Sequence, residues 1–140
     1  MSDICTSIEQ SKNLLELGLD PNTSDMYYQK VLPKSDKIEH NPKVGNPVDS
    51  LEWYNKGYTA FGKEPLKLEE HCIPAWSVSV LLDLIPSYQS FKSEGKYWYE
   101  LWIGCWNDSP NYVTGRYVNQ LDAAYDMVAY LLENDYIKKK

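Results

Sequence analysis

Pro74-Ala75-Trp76-Ser77-Val78-Ser79-Val80-Leu81-Leu82-Asp83-Leu84-Ile85-Pro86 is an apolar run with a proline at each end. Read as a helix over residues 75–85, it carries Pro74 in the first turn, where a missing N–H costs nothing, and Pro86 where the next turn would need one. Trp76, Val80 and Leu84 share one face, while Val78, Leu81, Leu82 and Ile85 fill most of the rest. Only Ser79 and Asp83 form a polar stripe. A helix apolar on nearly every side has to be covered on nearly every side, so the flanking segments are expected to wrap around it.

Two further helices are predicted. Over residues 6–17, Thr6 and Glu9 have the spacing of a capping box, Ile8, Leu14, Leu15 and Leu17 form an apolar flank, and Gly18 supplies a left-handed stop. Over residues 120–133, Leu121, Ala124, Tyr125, Val128, Leu131 and Leu132 recur at amphipathic spacing, with Asp122 in the first turn where the helix dipole favours it. The stretch 25–32 concentrates aromatic and β-branched residues and predicts a strand. Lys96 to Cys105 is the strongest strand signal. Asn107 to Asn111 has the composition of a turn, and Tyr112 to Val118 is its returning partner, giving a hairpin over 96–118. Ser87 to Gly95 is polar and reads as a connection.

Residues 33–72 carry Pro33, Pro42 and Pro47 with no sustained period, and read as an irregular surface excursion. Within it, Leu51 to Tyr58 suits either a short helix or an edge strand. No repeat or Gly/Ser linker divides the chain. The expectation is one α+β domain over 1–140, with a small antiparallel sheet, made of the hairpin and strand 25–32, packed against the three helices.

The aromatic balance is unusual. Five tryptophans and twelve tyrosines stand beside two phenylalanines, so much of the aromatic surface has a polar tip suited to a boundary with water or a partner. In strand 96–105, alternation puts Tyr97, Tyr99, Leu101 and Ile103 toward the helices and Trp98, Glu100, Trp102 and Trp106 on the opposite side, with Arg116 on the return strand as the expected partner of Glu100. That row suits a protein partner, a sugar or a nucleobase. The competing reading is that the 33–72 excursion, or a second copy of the chain, covers it.

A net charge of −6 and a pI near 4.9 argue against a nucleic-acid backbone as partner. The acids are scattered among lysines, which argues against mimicry of DNA. No run is long enough to span a bilayer, and Met1-Ser2-Asp3 starts no signal sequence, so a cytoplasmic setting is expected. Three widely spaced cysteines, Cys5, Cys72 and Cys105, suit free thiols. Two histidines without a CxxC argue against zinc, and the glycines form no phosphate loop, so neither a metal nor a cofactor is expected. His71 and Cys72, with Glu69 nearby, are the one candidate catalytic constellation, though adjacent residues on extended backbone point apart. Asp83, a charge on the central apolar segment, is more simply solvated than catalytic.

The segments Cys5-Thr6-Ser7-Ile8-Glu9-Gln10-Ser11-Lys12, Leu17-Gly18-Leu19-Asp20-Pro21, Pro74-Ala75-Trp76-Ser77 and Leu121-Asp122-Ala123-Ala124 resemble a family of short uncharacterised proteins from phages and mobile elements of gut anaerobes. The resemblance covers both ends and the centre and transfers no catalytic residue. It implies a phage accessory or host-interaction role.

Overall fold

A computed structural model describes residues 4–103, 108–137 and 139. Its first helix, α1 (Ile8–Glu16), begins on a capping box, but the pair is Ser7 with Gln10 rather than Thr6 with Glu9. Thr6 is fully buried and has another task. Its hydroxyl meets the Ser11 hydroxyl at 2.7 Å and accepts from the Trp76 amide at 3.1 Å. Gly18, at φ +100°, ends the helix: its N–H donates to the Leu15 carbonyl and that of Leu19 to the Leu14 carbonyl, both at 3.0 Å.

The apolar run at the centre is two elements. Strand β3 (Cys72–Ala75) pairs antiparallel with β1 (Met26–Gln29), setting Tyr27 opposite Pro74, and helix α4 (Val78–Asp83) starts only after Ser77, whose side chain caps it. The sequence reading placed Pro74 at a helix start. It is instead tolerated because β3 is the edge of its sheet, where a missing N–H interrupts no ladder. The covering expected of the run is only partly met: Val78, Val80, Leu82 and Leu84 are half-buried. Trp76 and Leu81 are fully buried and Ile85 nearly so, while Ser79 and Asp83 face solvent.

Residues 33–72 are irregular over 33–42 and 61–67 but not throughout. They carry β2 (Lys43–Val44), which completes the sheet order β2-β1-β3, then α2 (Pro47–Ala60) and α3 (Leu68–His71). Asn46 caps α2 by accepting from the Val48 and Asp49 amides at 2.9 and 3.2 Å, and Pro47 is its first residue. Beyond the helix, Asn55 clamps Leu66 with two hydrogen bonds of 2.8 and 3.0 Å, which returns the chain to the core.

The single expected sheet is two. Strand β1 does not join the hairpin; a second three-stranded sheet has the order β4-β5-β6, with β4 (Tyr88–Ser93), β5 (Lys96–Leu101) and the short β6 (Tyr112–Val113). The polar stretch read as a connection is therefore the main partner of β5. Glu94 and Gly95 join the two strands at φ +53° and +75°, as a two-residue hairpin turn requires. Gly95→Ala is expected to cost about 1–2 kcal/mol through the left-handed penalty alone, since an added Cβ would meet nothing within 4 Å; a urea melt checks this.

Helix α5 (Gln120–Glu133) matches the sequence reading residue for residue. It buries Leu121, Ala124, Val128, Leu131 and Leu132 against α4 and β5, in a cluster that also holds Leu14, Trp76 and Tyr99. A smaller cluster of Cys5, Met26, Tyr28, Ile73 and Ala75 lies on the first sheet. The architecture is α+β. Among the described residues no helix is long and apolar enough to cross a membrane.

Candidate functional site

Strand β5 alternates as its sequence predicts. Tyr99 and Leu101 are buried toward α5, and Trp98, Glu100 and Trp102 are half-buried on the outer face. Register places Phe91 of β4 directly across from Trp98, and the two rings stack with centroids 5.5 Å apart and planes 9° from parallel. On the opposite side of Trp98, Arg116 lies over the indole with its guanidinium carbon 4.3 Å from the centroid. Glu100 accepts from the Trp102 indole N–H at 3.1 Å, so the expected Glu100–Arg116 pair is replaced by two contacts to rings. Trp106, the fourth residue of the predicted row, lies outside the described residues, as does Cys105.

A register offset delivers Arg116 to Trp98. Leu101 faces Tyr112 and Glu100 faces Val113, but Tyr97 faces Tyr117, one residue further along than that register would give. The extra residue is absorbed around Gly115, in the manner of a β-bulge, so Arg116 and not Gly115 comes level with Trp98. Asp126 of α5 holds this offset. It accepts from the Gly115 N–H at 2.9 Å, the Tyr117 hydroxyl at 2.7 Å and the Tyr112 hydroxyl at 2.5 Å. Burial, and then the hydrogen bond to this carboxylate, push the Tyr117 phenol up to about 12 and the Tyr112 phenol up as well. Asp126 is the positioning residue that the sequence reading missed; its signal was an acid in the middle of α5, where the helix's other acids, Asp122 and Glu133, lie near its ends.

The helices of residues 33–72 make their main contacts with each other, with residues 21–23 and with β3, not with β4, β5 or β6. Beyond Phe91, the hairpin projects past the core, and Lys92, Ser93, Glu94, Gly95 and Lys96 are all exposed.

His71, Cys72 and Glu69 do not converge. The His71 imidazole is buried between α2 and β1, with Nε2 3.2 Å from the Ser50 hydroxyl and the Tyr54 ring at 5.1 Å, and burial pushes its pKa down. Cys72, 1% exposed, contributes to the wall of a cleft of about 560 Å³ that Leu15, Ile38, Glu69, Ile73 and Pro74 also line and His71 does not. Burial pushes the thiol up to about 12, which keeps it protonated and poorly nucleophilic near neutral pH. Asp83 is exposed on α4. Among the described residues no three His, Cys, Asp or Glu side chains are grouped as metal ligands would be.

Comparison with known proteins adds no relative: no family model, no curated protein and no solved structure matches the chain.

Proposed function

We propose that this chain is a cytoplasmic protein-binding accessory factor of phage or mobile-element type, and that another protein docks on the outer face of the β4-β5-β6 sheet. One observation carries the reading. The chain's single arginine is held over Trp98 on a projecting hairpin, its guanidinium on an aromatic ring rather than on a carboxylate. Tryptophan and arginine are the residues most enriched among interface hot spots, and a guanidinium fixed by stacking loses little entropy when it meets a carboxylate on a partner. The partner chemistry that fits is an apolar protein segment bearing an acid.

Stacking of a sugar or nucleobase on Trp98 is the weaker alternative, because Phe91 and Arg116 already flank that ring from the strands on either side. The enzyme reading has least support, since its imidazole and thiol face different surroundings.

Quantitative capture from host-cell lysate tests the proposal. The expected result is a reproducible set of proteins held by the wild type, weakened at least tenfold by Trp98→Ala and lost with Arg116→Glu, while the Arg116→Glu melting temperature stays close to the wild type. An identical set with all three proteins refutes the docking face. Trp fluorescence titrated with sugars and nucleobases separates the ligand reading, for which the intensity change saturates with a small molecule alone.

A further inference from the structure

Helix α2 turns its inner side to Tyr27 and His71 and leaves an aromatic flank in water. Trp53 is 76% exposed and Phe61 85%, and Tyr54, Tyr58 and Lys63 wall a groove of about 550 Å³ between them, with Gly57 at its floor. Gly57 is unexplained within the monomer. It sits inside a 14-residue helix, where glycine is less stable than alanine, and a Cβ built on it would meet nothing within 4 Å. A helical glycine with open space above it is what close approach by another backbone would use.

We infer that α2 is a self-association surface, on which a second copy of this chain packs antiparallel about a two-fold axis near Gly57. The sequence around that axis is self-complementary. Trp53 and Phe61 stand four residues to either side of Gly57, so the two-fold operation lays Trp53 of each copy on Phe61 of the other. Charge follows the same antisymmetry in part. Asp49 and Glu52 occupy the N-terminal half of the helix, Lys56 lies beside the axis, and Lys63, followed by Glu64, lies past its end, all five exposed; the operation brings Glu52 of one copy toward Lys63 of the other and sets the two Lys56 side chains next to the axis. A parallel arrangement would set acid against acid. This surface is distinct from the Trp98 face, which remains open in the dimer, so the two proposals stand or fall separately.

Sedimentation velocity across a concentration series on the full chain tests it. The wild type is expected to pass from the 16.2 kDa monomer to a species of twice that mass as concentration rises. Gly57→Glu places a carboxylate on the axis from each copy, and is expected to weaken association by at least about tenfold while the monomer melts no earlier than the wild type, because the site has room and glycine is lost from a helix. Trp53→Ala is expected to weaken association likewise. Gly57→Cys reports the geometry: under mild oxidation it forms a covalent dimer that Trp53→Cys does not, since only a residue at the axis meets its own copy within disulfide reach. A wild type that stays monomeric at every concentration, a Gly57→Glu variant that dimerises as well as wild type, or equal cross-linking by both cysteine variants overturns the inference.

Discussion

Trp76→Ala is expected to lower the free energy of unfolding by about 3–5 kcal/mol, the range for truncating a fully buried large aromatic residue. Trp76 is the joint between the two halves of the core. Its side chain is fully buried in the cluster that holds Leu14, Leu81 and Ile85, and its indole N–H donates to the Thr23 hydroxyl at 2.9 Å. Its backbone is pinned as well, with the carbonyl accepting from the Thr6 amide at 2.9 Å and the amide donating to the Thr6 hydroxyl. Alanine keeps the backbone bonds but opens a cavity and leaves the Thr23 hydroxyl without its donor. A domain of this size holds about 5–15 kcal/mol in all, so the variant is left marginal, with a melting temperature lowered by roughly 10 °C or more. Trp76→Phe separates the contributions: it keeps most of the packing, and about half the loss is expected. Urea melts followed by circular dichroism give both values. A Trp76→Ala loss below about 1 kcal/mol would mean that this residue is not the joint.

The position of Trp76 also shows why the sequence was legible in some places and not in others. Helices α1 and α5 were readable because each carries an amphipathic stripe bounded by side-chain caps, so pattern and end chemistry agree. The central run was readable as core but not as shape. Its apolar residues are buried whether they form a helix or a strand, and periodicity cannot separate the two in a stretch that short. Ser77, which caps α4 and donates to Asp25 at 2.6 Å, was the available signal for a late helix start. Helix α2 was readable only as one of two alternatives over Leu51 to Tyr58, for the opposite reason. Its Trp53-Gly57-Phe61 flank is exposed and its inner side is polar and aromatic, so no apolar stripe marks it, although Asn46-Pro47 followed by Asp49 is a helix-start signature. Strand β4 escaped because most of it lies beyond the core, where burial imposes no alternation.

The outer face of β5 was readable from period two. The company of Arg116 was not, because it depends on a one-residue register offset that no local pattern announces. Charge pairing predicted Glu100, and the ring of Trp98 took the guanidinium instead.

Raising the pH is expected to unfold the protein cooperatively between about pH 9 and 12, a consequence of burying neutral acids whose charged forms have no partner. Cys72 is the clearest case. The thiol is 1% exposed, and burial lifts it from an ordinary 9.0 to about 12. Below pH 9 both folded and unfolded chains hold the proton, and the stability is fully present. Between pH 9 and 12 the unfolded chain releases it while the folded chain does not. Stability therefore falls by about 1.36 kcal/mol per pH unit, or about 4 kcal/mol over three units. Burial raises the phenols of Tyr28, Tyr99, Tyr112 and Tyr117 as well, so the same loss begins for each of them near pH 10. Together these exceed what a marginal domain can lose. Tyrosinate absorbance and helical circular dichroism should accordingly change in one step, with several phenols ionising only as the helices melt. Cys72→Ala is expected to make the decline of stability between pH 9 and 10 shallower, with the buried Cys5 thiol, also pushed up by burial, supplying the remainder before the tyrosines contribute. Full ionisation of all twelve tyrosines near pH 10 with the helical signal intact would show that these phenols are not shielded, and would undo the packing of β5 and β6 against α5 on which the position of Arg116 depends.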